Sequence, residues 1–178
     1  MSTTYIALLR AVNLGAHNKV AMADLRELLG TLGMRNTRTL LQSGNAVFES
    51  DLSSSELERI LEEGARTQLR LSTDFMVRTK RSLADLVAAN PFRKEAANDP
   101  GHLVAMFLKA RPAATAIATL QGAIRGRESV RAKGRELYVV YPDGIGNSRL
   151  TTAVIERALG TRATGRNWNT VLKLLRLA

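Results

Sequence analysis

A chain of 178 residues that is 45% hydrophobic can bury a real core, as one large domain or two small ones, and is too apolar for disorder. It has no Cys, which excludes disulfides, thiol catalysis and Cys-based metal sites, and its opening residues lack the pattern of a signal peptide or a membrane span. Both absences fit a cytoplasmic protein. The formal charge of +10 is lopsided: residues 1–90 hold 11 Lys/Arg against 10 Asp/Glu, whereas residues 91–178 hold 15 against 6, so an anionic partner for the second half is expected.

In chain order, Tyr5 to Val12 is almost wholly apolar and predicts a buried strand. Leu25, Leu28, Leu29 and Leu32 recur at helical spacing and predict a helix ended by Gly33. Thr37–Leu41 and Ala46–Glu49 read as strands around the turn Gln42-Ser43-Gly44-Asn45. A helix follows from the serines at 53–55, with Ser53/Glu56 or Ser55/Glu58 as a capping box. Thr73–Val77 predicts a strand, and Leu83, Leu86 and Val87 a short helix stopped by Asn90-Pro91.

The second half repeats the order. His102–Lys109 predicts a strand, and Pro112 opens a helix holding Ile117, Leu120 and Ile124. Ser129–Ala132 and Leu137–Tyr141 predict a hairpin around Lys133-Gly134-Arg135-Glu136. Thr151, Val154, Ile155 and Ala158 mark a helix capped by Gly160, and an extended piece, Thr161–Thr164, leads to the last helix. Strand-helix-strand twice over, joined by a hairpin, is the ferredoxin-like pattern. The expectation is an α+β protein of two tandem ferredoxin-like (βαββαβ) units, residues 1–90 and a basic 91–178, each followed by an extra helix and packed into one compact body.

This topology gathers polar clusters that are distant in sequence. The first strand and the second strand of such a unit end at the same edge, so Arg10, Asn13, Asn18 and Lys19 should meet Gln42, Ser43 and Asn45. In the second half the third and fourth strands end together, so Gly144, Gly146, Ser148 and Arg149 should meet Arg166 and Asn167. Asn167 suits a helix N-cap and Trp168 the core face of that helix, which leaves Arg166 as an anion ligand at the helix start. Arg127, Arg131, Lys133 and Arg135 make the second hairpin the candidate nucleic-acid contact. Clusters of Arg, Lys, Asn, Gln and Ser donate hydrogen bonds and suit anionic or oxygen-rich groups. The two His, His17 and His102, have no metal-ligand spacing; Ser43 has no local base; no cofactor, metal or catalytic residue is expected.

The runs YIALLRAVNLG, NKVAM, LLQSGNAVF, ANPF, YPDGIGNSRLT and TGRNWNTVLKL together resemble the bacterial family called domain of unknown function 1697 (DUF1697), from Tyr5 to Leu174. The family usually reads R-G-I-N-V-G-G at the first run. Here Arg10, Asn13 and Gly15 are kept, while Ala11, Val12, Leu14 and Ala16 take the other places. Its S-K-L stands as Ser148-Arg149-Leu150, with the charge retained. The resemblance implies a compact α+β fold of ferredoxin-like units and assigns no activity. The leading expectation is a binding protein for an anionic ligand, RNA or nucleotide-like. The alternatives are a small enzyme acting on a phosphorylated or carboxylated metabolite and a structural or regulatory interaction module.

Overall fold

The computed structural model describes residues 1–14, 16 and 18–178. Gly15 and His17, part of the first polar cluster, lie outside the described residues. The chain divides into two compact units, Met1–Asp85 with Lys173–Ala178, and Leu86–Leu172. Among the described residues no helix is long and apolar enough to cross a membrane.

The first unit runs β1 (Thr3–Leu9), α1 (Met22–Thr31), β2 (Arg35–Thr39), β3 (Asn45–Ser50), α2 (Ser54–Gln68), β4 (Phe75–Thr79), then α3 (Lys80–Ala88). Its sheet has the order β2-β3-β1-β4 with every neighbouring pair antiparallel, which is the ferredoxin-like arrangement. Period-two alternation turns Tyr5, Ala7, Leu9, Ala46, Phe48, Phe75 and Val77 into one core. The same core takes Leu25, Leu28 and Leu29 of α1 and Leu57, Leu61 and Ala65 of α2. The alternate residues Ile6, Leu8, Val47 and Met76 are buried as well, which is why β1 reads as a continuous apolar run.

The second unit repeats this plan. A short helix α4 (Arg93–Asn98) interrupts what reads as a plain linker. Then come β5 (Leu103–Leu108), α5 (Ala114–Ala123), β6 (Ser129–Lys133), β7 (Glu136–Val140), α6 (Thr152–Leu159), β8 (Ala163–Asn167) and α7 (Trp168–Leu177). The sheet order β6-β7-β5-β8 is the first sheet over again. Val104, Met106, Leu108, Leu137 and Val139 pack with Leu120 and Ile155 of the helices. On the other face Ala105, Phe107 and Tyr138 are buried; Tyr138 donates to the Leu86 carbonyl at 2.7 Å and its ring lies 6.3 Å from that of Trp168.

Strand β2 runs two residues earlier than the expected Thr37–Leu41, other strand ends shift by a residue or two, and three further boundaries differ in ways that local contacts mark. β1 stops at Leu9 because Ala11 turns the chain at φ 51°. β4 is regular from Phe75; just before it the Asp74 carbonyl still accepts from the Arg10 amide, and the Thr73 hydroxyl donates to the Arg10 carbonyl. β8 extends to Asn167, beyond the expected Thr161–Thr164. Gly165 is a strand residue there because a Cβ would come within 2.7 Å of Met106 Sδ and 3.1 Å of Val104 Cγ1 across the ladder.

Candidate anion-binding surface

The end of the first unit where β1 finishes brings together the residues that topology assigns to it. The Leu9 amide donates to the Gly44 carbonyl at 2.9 Å, so the loop after β1 lies against the β2–β3 turn. Asn13 fastens the two: its amide nitrogen donates to the carbonyls of Val20 at 3.0 Å and Gln42 at 2.5 Å, while its Oδ1 accepts from the Val20 amide. Asn45 is fully buried and donates to the Leu40 carbonyl and to Ser43 Oγ. Asn13 and Asn45 therefore spend their side chains on the loops. Gln42, Ser43, Asn18 and Lys19 are exposed, and Arg10 is half-buried. Gly44 has φ 75°, and a Cβ would meet Val12 at 2.6 Å, so this turn requires glycine.

At the opposite end of the second sheet, the Tyr141 amide donates to the His102 carbonyl, and β8 ends on the same side, with the Trp168 amide donating to the Pro100 carbonyl. The loop 141–149 and Asn167 thus flank the start of β5. The amides of Gly144, Asn147 and Ser148 donate within the loop, and the Ser148 hydroxyl bonds Glu128 and caps Leu150. Gly146 and Arg149 are exposed. Asn167 caps α7, accepting from the Thr170 amide at 3.0 Å, and Trp168 is 3% exposed.

Arg166 takes a different place from the one its sequence position suggests. It pairs with Ala105 inside β8, is 7% exposed, and donates to Thr164 Oγ1 and the Gly165 carbonyl, each at 2.8 Å. Burial pulls its pKa down to about 10, so it stays charged at neutral pH. The guanidinium is part of the buried sheet face rather than an open contact at the helix start.

The hairpin cations divide. Arg127 forms an ion pair with Asp143, whose carboxyl is held below its usual range chiefly by the Arg127 hydrogen bond. Arg131 and Lys133 are exposed on the edge strand β6, and Arg135 is half-buried in the turn. That turn lies beside the end of β5: the Leu108 amide donates to the Arg135 carbonyl at 2.8 Å. On the other side of β5, the Lys109 amide donates to the Arg162 carbonyl at 2.9 Å and the Ala110 amide to Thr161 Oγ1 at 3.0 Å. Lys109, Glu156, Arg157, Thr161 and Arg162 line a shallow depression of about 490 Å³ there. One end of the second sheet therefore carries Lys109, Arg111, Lys133, Arg135, Arg157 and Arg162. The negative end of α6, closed by Gly160 at φ 66°, accounts for Arg157 and Arg162 on helix-dipole grounds, but not for the other four.

Lys109, Arg111, Arg157 and Arg162 do not stand out in the sequence pattern. A signal for the first of them exists: the rule that joins the end of a unit's first strand to its hairpin turn puts Lys109 beside Lys133-Gly134-Arg135 in the second unit. Such a surface offers charge-assisted donors to anions. Among the described residues no group of His, Asp or Glu could hold a metal ion.

The chain belongs to the family described as protein of unknown function (DUF1697), whose model matches residues 2–138. No curated protein matches it. Among solved structures it is similar to the conserved bacterial protein SP0830 from Streptococcus pneumoniae, at 22% identity over 99% of each chain and a TM-score of 0.80. At that identity the likeness speaks for the fold alone.

Proposed function

We propose that this protein binds an anionic ligand, foremost RNA or another phosphate-rich polyanion, through the basic end of its second sheet and the adjoining hairpin. The observation that carries the reading is the convergence of Lys109, Arg111, Lys133, Arg135, Arg157 and Arg162 around the end of β5, in a half of the chain with 15 basic and 6 acidic residues. Among the described residues two carboxylates stand at this end, Glu136 and Glu156; Glu156 accepts from the Ala163 amide at 2.8 Å and pairs with Arg162 at 3.8 Å, so the end is basic on balance. A net positive field on a rigid frame attracts phosphates by releasing their counterions.

The test is a salt titration of binding to a labelled RNA. Affinity should fall linearly on a log–log plot against salt. Arg131→Gln with Lys133→Gln should lower the slope by about two, one for each phosphate no longer neutralised. Binding that ignores salt, or a slope the double variant leaves unchanged, counts against the reading.

A further inference from the structure

We infer that the ligand is a nucleic-acid duplex held by its phosphates, with no base stacked on the protein; this rests on the proposed function above and names its ligand class. Single strands are held on ferredoxin-like sheets by aromatic side chains displayed on the face away from the helices. In the second unit that face is closed: Leu103, Ala105, Phe107, Tyr138 and Val140 are 0–8% exposed. The chain has 1 Trp, 3 Tyr and 4 Phe. Tyr5, Phe48, Phe75, Phe107, Tyr138, Tyr141 and Trp168 are all buried. The remaining one, Phe92, is half-buried at the start of α4, on the stretch that leads into the other end of β5. Among the described residues the basic end therefore has no aromatic platform, and the stacking that retains single strands is missing there.

What it has is charge in a row. Lys133, Arg135, Lys109 and Arg162 stand at the ends of β6, β7, β5 and β8 in sheet order, with Glu136 opposite Lys133 and Glu156 3.8 Å from Arg162, which leaves the row basic on balance. Three strand spacings cover about 14 Å. Along that length a duplex presents about eight phosphate charges, roughly twice what one of its strands carries. A surface that gains only from charge density takes the denser partner.

The experiment compares a fluorescein-labelled RNA duplex of about 16 base pairs, which is two minor grooves long, with one of its strands alone, by anisotropy across a salt series. The duplex should bind at least roughly tenfold more tightly, with a log–log salt slope of about −0.9 for each phosphate neutralised. Lys109→Gln with Arg162→Gln should make that slope shallower, and Arg59→Gln, an exposed cation of α2, should leave it unchanged. Circular dichroism melts confirm that the variants are folded. A single strand that binds as tightly as the duplex, with a steep salt slope, overturns this inference and leaves the proposed function standing. Inorganic polyphosphate displacing the label as well as unlabelled duplex does, phosphate for phosphate, also overturns it, because the ligand is then any polyanion. Binding of neither probe removes the proposed function and this inference together.

Discussion

At Arg166, a full charge sits at 7% exposure on the sheet face of the second unit, held by Thr164 Oγ1 and the Gly165 carbonyl. A side chain so placed contributes packing along its stem as well as hydrogen bonds. Arg166→Ala should therefore cost roughly 2–4 kcal/mol in denaturant melts, and Arg166→Met should recover the packing part of that loss. If Arg166→Ala melts like the parent chain and only loses stabilisation by added sulfate, the residue is an anion ligand after all. The sequence could not separate the two roles, because an Arg two residues before a Trp-led helix reads as exposed when Gly165 is taken for a loop. Gly165 is instead there to pass Met106 and Val104. Arg127 is the opposite case, an exposed cation committed to Asp143. Its hydrogen bond lowers the Asp143 pKa below the ordinary 3.8, so the pair's contribution is present above that value and fades as pH falls through the lower, folded one. Arg127→Gln should move the Asp143 carboxyl titration, followed by NMR, upward toward 3.8. An unmoved titration would mean that the pair is not formed in solution.

Elements show what the two units share. By strand register, Arg78 opposite Ile6 corresponds to Arg166 opposite Ala105, and both arginines are buried. The next residue caps a helix in each unit: Thr79 Oγ1 accepts from the Ser82 amide at 3.0 Å, as Asn167 Oδ1 does from Thr170. The edge strands are protected alike. A glutamate of the preceding helix takes the amide that opens the strand, Glu62 for Phe75 and Glu156 for Ala163, at 2.9 and 2.8 Å. Such pairing blunts an edge that would otherwise recruit another strand. Thr79→Ala and Asn167→Ala should each cost about 1 kcal/mol in thermal melts, while Thr79→Asn and Asn167→Thr should be nearly silent. Equal losses from the alanine and the exchanged-cap variants would show that packing at these positions, not capping, matters. The element order was legible because apolar period and caps agree locally, as in the Ser53–Glu56 box of α2. The strand ends were less so. Thr73 is a good strand former by composition, but its hydroxyl is used on Arg10. The short helix α4 was not legible because Arg93–Asn98 buries no residue, and so leaves no apolar stripe to read.

For the whole molecule, the charge division and the repeated topology were both visible in the sequence, but not which residues count with which unit. Lys173–Ala178 belong with the first unit, although these residues close a helix that begins in the second. Periodicity puts Trp168, Val171, Leu172 and Leu175 on one face of α7, whereas the buried residues are Trp168, Val171 and Leu174, with Leu172 and Leu175 half-buried. It carries no record of the partner that buries them, since any apolar surface rewards the same spacing. Leu174, at 0% exposure, lies on the first unit's side of that division. Leu174→Ala should cost about 2–5 kcal/mol, the range for a fully buried leucine. The place where this loss appears is more informative than its size. Native-state hydrogen exchange separates the units because each opens with its own free energy. Protection should fall first for the amides of β1, β3 and β4, while those of β5, β7 and β8 keep theirs until global opening. A loss confined to the second sheet would return the last turn of α7 to the second unit, and a uniform loss would mean that the two units open only as one.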